Sequence, residues 1–399
     1  MFYENQPVKQ QESYKTMLSI VGSLTQLFSA SDSPYLAYRA HENIFCKYME
    51  AENLARADCS ADAKKGRIGV GLKTWTGQDD QKVAEFGRLR ETFAGLTGMD
   101  LVRKIAEYRN ERIRVTKNLY GIDTMIYHIV RRVPGAMQIL EHAFEYIDVD
   151  HLTLIANRGN VNNTYFTDGR HTYHFSVSKN TLYMIFEDLE FLDSFDVDIM
   201  EDPYSFLMNL VGEPCTTDTR TDVMEAIHPQ PQPQRPQLCL RLYSSRADGR
   251  KFVADKSGLN QWNGARRNTR TNTLTPRDPN ELYIPYPAED RARTSGFFPG
   301  RDTVFALTLP DGSVIPAKVC QADGKAIMSN PNKLLGEWLL RKVFELPEGT
   351  VVTYQMLQRF GVDSVIFTKH GDLQYSVDFA EVGTYEHFYG LDGHRGAED

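Results

Sequence analysis

The stretch "ADAKKGRIGVGLKTW", Ala61 to Trp75, places an aspartate, Asp62, eleven residues before a lysine, Lys73, and "QKVAEF" adds a glutamate, Glu85, twelve residues further on. These residue types at this spacing suit phosphoester chemistry. Hydrolysis of a phosphodiester needs a hard cation such as Mg2+ held by a few carboxylates, an activated water, and a positive group near that water or the scissile phosphate. Asp62 would supply a ligand and Lys73 the positive group, and a second carboxylate has to come from elsewhere. Asp58 competes with Asp62 for the metal role, and spacing favours Asp62. His41 reads as a helix-surface or packing residue. Ser178 and Lys179 in "FSVSKNTLY" offer a phosphate contact, with a strand-to-helix cap as the plainer reading.

Positioning these groups requires a strand through "RIGVGLKTW". Side chains alternate along a strand, so Gly69, Gly71, Lys73 and Trp75 share one face while Ile68, Val70, Leu72 and Thr74 take the other. If that strand is packed on both sides, Lys73 is buried. The ammonium then costs several kcal/mol (roughly) unless a carboxylate or a phosphate meets it.

Around this strand, "YKTMLSIVGSLTQLF", "YLAYRAHENIFCKYME" and "GAMQILEHAFEYI" carry apolar residues at helical spacing. After Asp150 the period falls to two, in "LTLIANR" and in "TYFTDGRHTYHFSVS", where "TDGR" reads as a hairpin turn, and "TLYMIFEDL" returns toward helix. Residues 1–211 are therefore expected to form an α+β domain, helices around a mixed sheet. "HPQPQPQRPQ" alternates proline with glutamine, which favours an extended spacer, so a linker is expected over 212–237. From 238 to 399 strands dominate: "LCLRLYSS", "DTVFALTLPDG", "SVIPAKVCQ", "SVIFTKHG" and "LQYSVDFA". "PDGS" and "KHGDL" are turns, and "NKLLGEWLLRKVF" is a helix. This half is expected to be a mainly β barrel or sandwich.

The composition is that of a globular chain: 399 residues, 41% hydrophobic, 25% charged. No apolar run approaches the roughly 18 to 20 residues a membrane span requires, so no membrane partner is expected. The start "MFYENQPVKQQESYK" has no signal or transit character, and the five scattered cysteines form no C-x-x-C pair. A soluble, cytoplasmic protein with reduced thiols is the expectation. A net charge of -8 argues against coating nucleic acid by bulk electrostatics. Yet Leu238 to Arg301 holds twelve Lys/Arg against six Asp/Glu, a basic face suited to phosphates.

The first stretch resembles the PD-(D/E)XK nuclease fold, in which an Asp at the entry to a hairpin is followed by E-x-K on the next strand and then a helix. Gly71 stands where that pattern has its acid. Some members carry the acid on the following helix, where the resemblance puts Glu85, and many have a supporting acid on the preceding helix, where it puts Glu42. The resemblance thus implies Asp62 and Glu85 as Mg2+ ligands, Glu42 in support and Lys73 as the catalytic cation.

In the C-terminal half, "SGLNQWNGARRNTRTNTLTPRDPNELYIPYP" is rich in Asn, Gln and Arg, side chains that pair with adenine and guanine edges in the major groove. Together with "GFFPGRDTVFALTLPDG", "AKVCQ" and "MSNPNKLLGEWLLR", it resembles the DNA-recognition domain of restriction enzymes of the NgoFVII and BfiI kind. Those domains are pseudobarrels related to the plant B-three domain and to the EcoRII effector domain. The resemblance implies two DNA-gripping arms. The first would carry Asn260, Gln261, Trp262, Arg266, Arg267, Asn268, Arg270 and Arg277, and the second Ser329, Asn330, Asn332 and Lys333. NgoFVII and BfiI pair this module with a phospholipase-D-like nuclease, whose H-x-K motif is absent here.

The combined expectation is a prokaryotic type II restriction endonuclease cutting double-stranded DNA with Mg2+, acting as a homodimer because two strands need two active sites. Two other readings stay open: a non-catalytic DNA-binding regulator, in which Gly71 marks a lost site, and an endonuclease directed to modified bases, which would show an aromatic cage.

Overall fold

The computed structural model describes residues 1–54, 59–77, 80–156, 163–211, 235–267 and 272–391. Asp58, Asn268 and Arg270 lie outside these residues.

The chain opens with α1 (Val8–Ser23) and α2 (Tyr38–Tyr48), then enters a six-stranded sheet of β1 (Glu52–Asn53), β2 (Ala63–Lys65), β3 (Ile68–Trp75), β5 (Thr124–Val133), β6 (Ala136–Ala143) and β11 (Glu190–Asp196). The strands lie side by side in that order. The β3/β5 pair is parallel and the other pairs are antiparallel. A parallel pair needs a crossover, and the short α3 (Arg90–Phe93) and the long α4 (Gly98–Tyr120) supply most of it. Gly121, at φ 63°, ends that helix in the left-handed conformation glycine tolerates.

A second, antiparallel sheet of five strands runs in the order β4 (Asp80–Glu85), β10 (Thr181–Ile185), β9 (Thr172–Ser176), β8 (Asn163–Thr167), β7 (Thr153–Leu154). The expected hairpin at "TDGR" joins β8 to β9. The Asp168 carboxylate accepts the Arg170 and His171 amides at 3.0 and 2.7 Å and so fixes the turn.

Three expected helical stretches are strands. "GAMQILEHAFEYI" contains β6, "TLYMIFEDL" contains β10, and Glu85 ends β4 instead of riding a helix. Ser178 and Lys179 accordingly sit, exposed, in a strand-to-strand turn, not at a helix cap.

The alternation expected for β3 holds, and both faces are packed. Val70 and Leu72 meet Tyr14, Leu18, Ile44 and Phe45 from α1 and α2. Trp75, on the face of Lys73, joins Leu101, Val102 and Ile105 of α4 with Tyr127 and Ile129 of β5. Each fully buried side chain of this size stabilises by about 1.5–3 kcal/mol. His41 is buried, as a packing residue. Its Nε2 lies 2.8 Å from the Tyr14 hydroxyl, which also meets His128, and His128 in turn meets the Glu141 carboxylate.

In the C-terminal half, a seven-stranded sheet curls into a nearly closed barrel. The order is β12 (Gln237–Arg241), β21 (Val362–Gly371), β22 (Gln374–Glu381), β18 (Val304–Thr308), β19 (Val314–Cys320), β20 (Ala326–Ser329), β17 (Ile284–Pro285), and the edge strands β12 and β17 approach each other. "PDGS" and "KHGDL" turn the β18/β19 and β21/β22 hairpins, as expected. Two short ribbons, β13/β14 (Ser244–Ser245, Lys251–Phe252) and β15/β16 (Arg266–Arg267, Leu274–Thr275), pair separately from the barrel sheet. The expected helix runs from Leu334–Gly336 into a π-helical stretch, Glu337–Val343.

The architecture is therefore α+β, with mixed sheets and helices before the linker and a barrel after it. One hydrophobic core serves both halves, because Leu119 and Tyr120 of α4 belong to the same buried cluster as Val343, Phe344 and Phe360 of the barrel side. Across that junction the Arg359 guanidinium meets Glu111, Tyr120 donates to Asp378 at 3.0 Å, and Arg114 pairs with Glu345 at 3.0 Å. No described helix is long and apolar enough to cross a membrane. The four described cysteines form no disulfide.

Candidate active site and nucleic-acid interface

Asp62 stands one residue before β2. Its backbone is held on both sides: its N–H donates to the Val70 carbonyl and its carbonyl accepts from Leu54, each at 2.9 Å. Its carboxylate accepts the Leu72 amide at 2.7 Å. The β2/β3 register, Ala63 opposite Val70, brings Asp62 opposite Gly71 and onto the face of Lys73. Asp62 and Lys73 therefore share one face of the β2/β3 hairpin.

Asp62, Lys73, Glu42 and Glu85 all line one cleft of about 750 Å³ between α2, β3, β4 and α4, with Glu381 of β22 also on its wall. Glu42 is buried on α2 and pairs at 2.9 Å with Arg39, which reaches it from the solvent side. Burial, then the charge of Asp62, raises the Glu42 carboxyl above the usual range, against the pull of Arg39. Burial raises Asp62 as well, opposed chiefly by Lys73. Burial lowers Lys73, opposed by Asp62 and reinforced by Lys82 and Arg109. The charge of half-buried Asp62 disfavours ionisation of buried Glu42, and a cation between them would relieve that.

Asp62 and Glu42 fit Mg2+, which is commonly bound through one or two carboxylates while keeping several waters. Among the described residues no group of three or more Asp, Glu, His or Cys could hold a metal ion, so Glu85 does not converge with Asp62 and Glu42. Glu85 lies at the cleft mouth, exposed, with its carboxylate 2.5 Å from Lys82.

The absent acid at Gly71 has a packing reason. A Cβ there would stand 2.9 Å from the Tyr127 ring and 3.0 Å from that of Phe144, and these two rings stack at 4.1 Å and 6°. Any side chain at 71 displaces the stack.

Arg109 was not singled out by the sequence pattern. It is buried on α4, donates to the Tyr127 hydroxyl at 3.0 Å and the Glu145 carbonyl at 2.8 Å, and lies over the Phe144 ring. With Lys73 and the likewise buried Arg112 it adds positive charge to the cleft wall. The sequence did hold a signal for it: Arg109 shares the apolar side of α4 with Ile105 and Ile113, an unusual place for a guanidinium.

In the barrel, both expected arms leave the same end, since Ile284 pairs with Ile327 and the chain before one and after the other emerges there. Gly336 admits this arrangement, as its Cα packs so tightly on the Asn280 carbonyl that a Cβ has no room. Arg341 donates to the Asn280 side chain at 2.7 Å and to the Pro279 carbonyl at 2.8 Å, tying the base of the first arm down.

The expected base readers separate into two groups. Asn260 is fully buried, with its amide spent on Val352 and Ala254, and the Ser329 hydroxyl, also buried, accepts the Leu335 amide. Gln261 is buried and donates to Glu281 at 2.8 Å, Arg277 pairs with the same Glu281, and Trp262 packs on the core. These residues hold the arms. Arg266 on the β15/β16 ribbon and Asn330 are exposed, Asn332 is half-buried, and exposed Lys333 pairs with Glu337 at 3.0 Å. Arg267 follows Arg266 in the ribbon.

Residues 240–371 match the NgoFVII C-terminal B3-like DNA-binding domain. The match spans about a third of the chain and takes in both arms and every barrel strand except β22. This part of the chain is a DNA-binding domain of a type found in restriction enzymes. No curated protein matches the chain.

Proposed function

We propose that the chain is a site-specific type II restriction endonuclease that hydrolyses double-stranded DNA with Mg2+. The observation that carries this reading is the Asp62–Glu42–Lys73 cluster in a cleft of the same polypeptide that bears a DNA-binding barrel. Support for a PD-(D/E)XK-like arrangement comes from the strand order β1-β2-β3-β5. Its β3/β5 pair is parallel across α4, Asp62 stands at the hairpin entry, and Lys73 lies on the next strand.

In this reading Asp62 and Glu42 hold the cation, with Glu85 at the mouth as a further carboxylate for its water shell. When bound, Mg2+ lowers the pKa of a water and neutralises charge on the phosphate. Lys73 orients the attacking water and stabilises charge developing on the phosphoryl oxygens. Arg109 positions the Tyr127–Phe144 floor and adds positive potential beneath the phosphate. Arg266, Arg267, Asn268, Arg270, Asn330, Asn332 and Lys333 contact the DNA, while Asn260, Gln261, Trp262, Arg277 and Ser329 set the arms. Two copies acting together would cut both strands, in a prokaryotic cytoplasm.

The test is digestion of unmethylated phage DNA by wild type, Lys73→Ala and Asp62→Asn, each with Mg2+ and with EDTA, beside a gel shift. Discrete bands from wild type are expected. Each variant should lose at least about 100-fold in rate, the scale of removing one transition-state-stabilising group, with binding retained. Intact DNA in every lane with binding preserved would favour the second reading, a DNA-binding regulator. One observation favours that alternative: the acid position at Gly71 is filled by an aromatic stack.

A further inference from the structure

The last element before the linker, α5 (Pro203–Val211), has the sequence "PYSFLMNLV" and no charged residue. Asp202 caps it by accepting the Ser205 amide at 3.0 Å. The helix then exposes nearly every large side chain it has: Tyr204 61%, Phe206 42%, Leu207 37%, Met208 72% and Leu210 57%. A solvent-facing helix normally turns a polar side outward, so this one lacks its cover. It rests on the turn Thr25–Leu27, next to which Phe28 is also exposed, and the Met200 amide donates to the Ser23 carbonyl to anchor the approach.

We propose that α5 and the adjoining turn form the surface through which two copies of this chain associate. With Phe28, the exposed apolar area reaches at most roughly 650 Å² per copy, taking ~200 Å² for each large side chain. Two such faces bury at most about 1,300 Å², within the range of stable, specific interfaces.

Charge separates the candidate occupants. DNA does not fit, because Asp196, Asp198, Glu201 and Asp202 precede the helix and no Lys or Arg lies on it. The chain's own continuation, 212–237, offers only Val223, Met224 and Ile227 as large aliphatic residues among threonines, acids and the Pro/Gln run. A two-fold contact sets a patch against itself and so requires self-complementarity, which an uncharged apolar helix has. The choice of a second copy also rests on the nuclease reading, since a double-strand cut needs two active sites.

The test measures mass, so its failure is distinguishable from a failure to cleave. Light scattering on the eluting full chain, from about 1 to about 100 μM, brackets a micromolar Kd. Wild type should reach twice the 45.5 kDa chain mass, and Met208→Glu/Leu210→Glu should stay at the single mass with an unchanged circular-dichroism spectrum. If the double glutamate variant fails to fold, Tyr204→Ser/Met208→Ser removes the area without adding charge and should weaken association at least tenfold. Wild type at the single mass throughout, as expected if the chain's own 212–237 segment covers the helix, overturns the proposal. So does undiminished pairing in a folded variant.

Discussion

The Arg359 guanidinium of the barrel half meets the Glu111 carboxylate of α4 through two nitrogens, Nε at 2.9 Å and Nη2 at 2.7 Å. Glu111 is largely enclosed, while Arg359 keeps about a third of its side chain in solvent. A bidentate pair is stronger than a single contact, and its half-open setting screens part of the gain. A double-mutant cycle of Glu111→Ala and Arg359→Ala in urea is expected to give a coupling of about 1 kcal/mol, against near zero for a surface pair.

The cleft predicts a pH and metal dependence. Asp62 and Glu42 have raised folded-state pKa values, so the stability they contribute is present in acid and is lost as pH rises through those folded values. Lys73 is lowered, so its contribution is lost as pH falls through its folded value. Glu42→Gln, which leaves Asp62 to meet Lys73, should therefore raise the melting temperature of the metal-free protein at pH 8 by roughly 2–4 °C, the change ~1 kcal/mol makes in a large chain. The gain should shrink toward pH 4. Mg2+ should stabilise wild type more than the variant, as read by differential scanning fluorimetry.

Restoring the sequence pattern at Gly71 should fail. Gly71→Glu forces its Cβ into the Tyr127–Phe144 stack, an overpacking that costs about 1–3 kcal/mol. The expected outcome is a lower melting temperature with no gain in cleavage rate. Faster cutting by Gly71→Glu would show that the stack yields and that the site lacks an acid there.

The two groups of arm residues should respond differently. Asn260→Ala strips the Val352 amide and carbonyl of their partners and should destabilise the barrel by about 1–3 kcal/mol. Arg266→Ala should leave stability unchanged, weaken DNA binding and reduce the salt slope of log K by about one. Urea titration and fluorescence anisotropy at several salt concentrations separate the two.

The β3 alternation, the hairpins at "TDGR", "PDGS" and "KHGDL", and the barrel strands were legible because one face of each strand is apolar or its turn carries Gly and Asp. β6 was not. Met137 and Ile139 pack against the α1/α2 layer while Leu140 packs toward α4, so both faces are buried and the period of two disappears. β4 was misread because it is an edge strand whose polar residues, Lys82 and Glu85, imitate an amphipathic helix. The proximity of Asp62 to Lys73 was readable from spacing. The burial of Asn260 was not, since its partner Val352 lies ninety-two residues away.

The hydrophobic core shared by α4 and the barrel bears on how the gene can be divided. Each half ends at the Pro/Gln run with a face of that core bare: Leu119 and Tyr120 on one side, Val343, Phe344 and Phe360 on the other. Made as two polypeptides broken within 212–237, the halves should reassemble in the cell and purify on a single tag, whereas either fragment expressed by itself should aggregate.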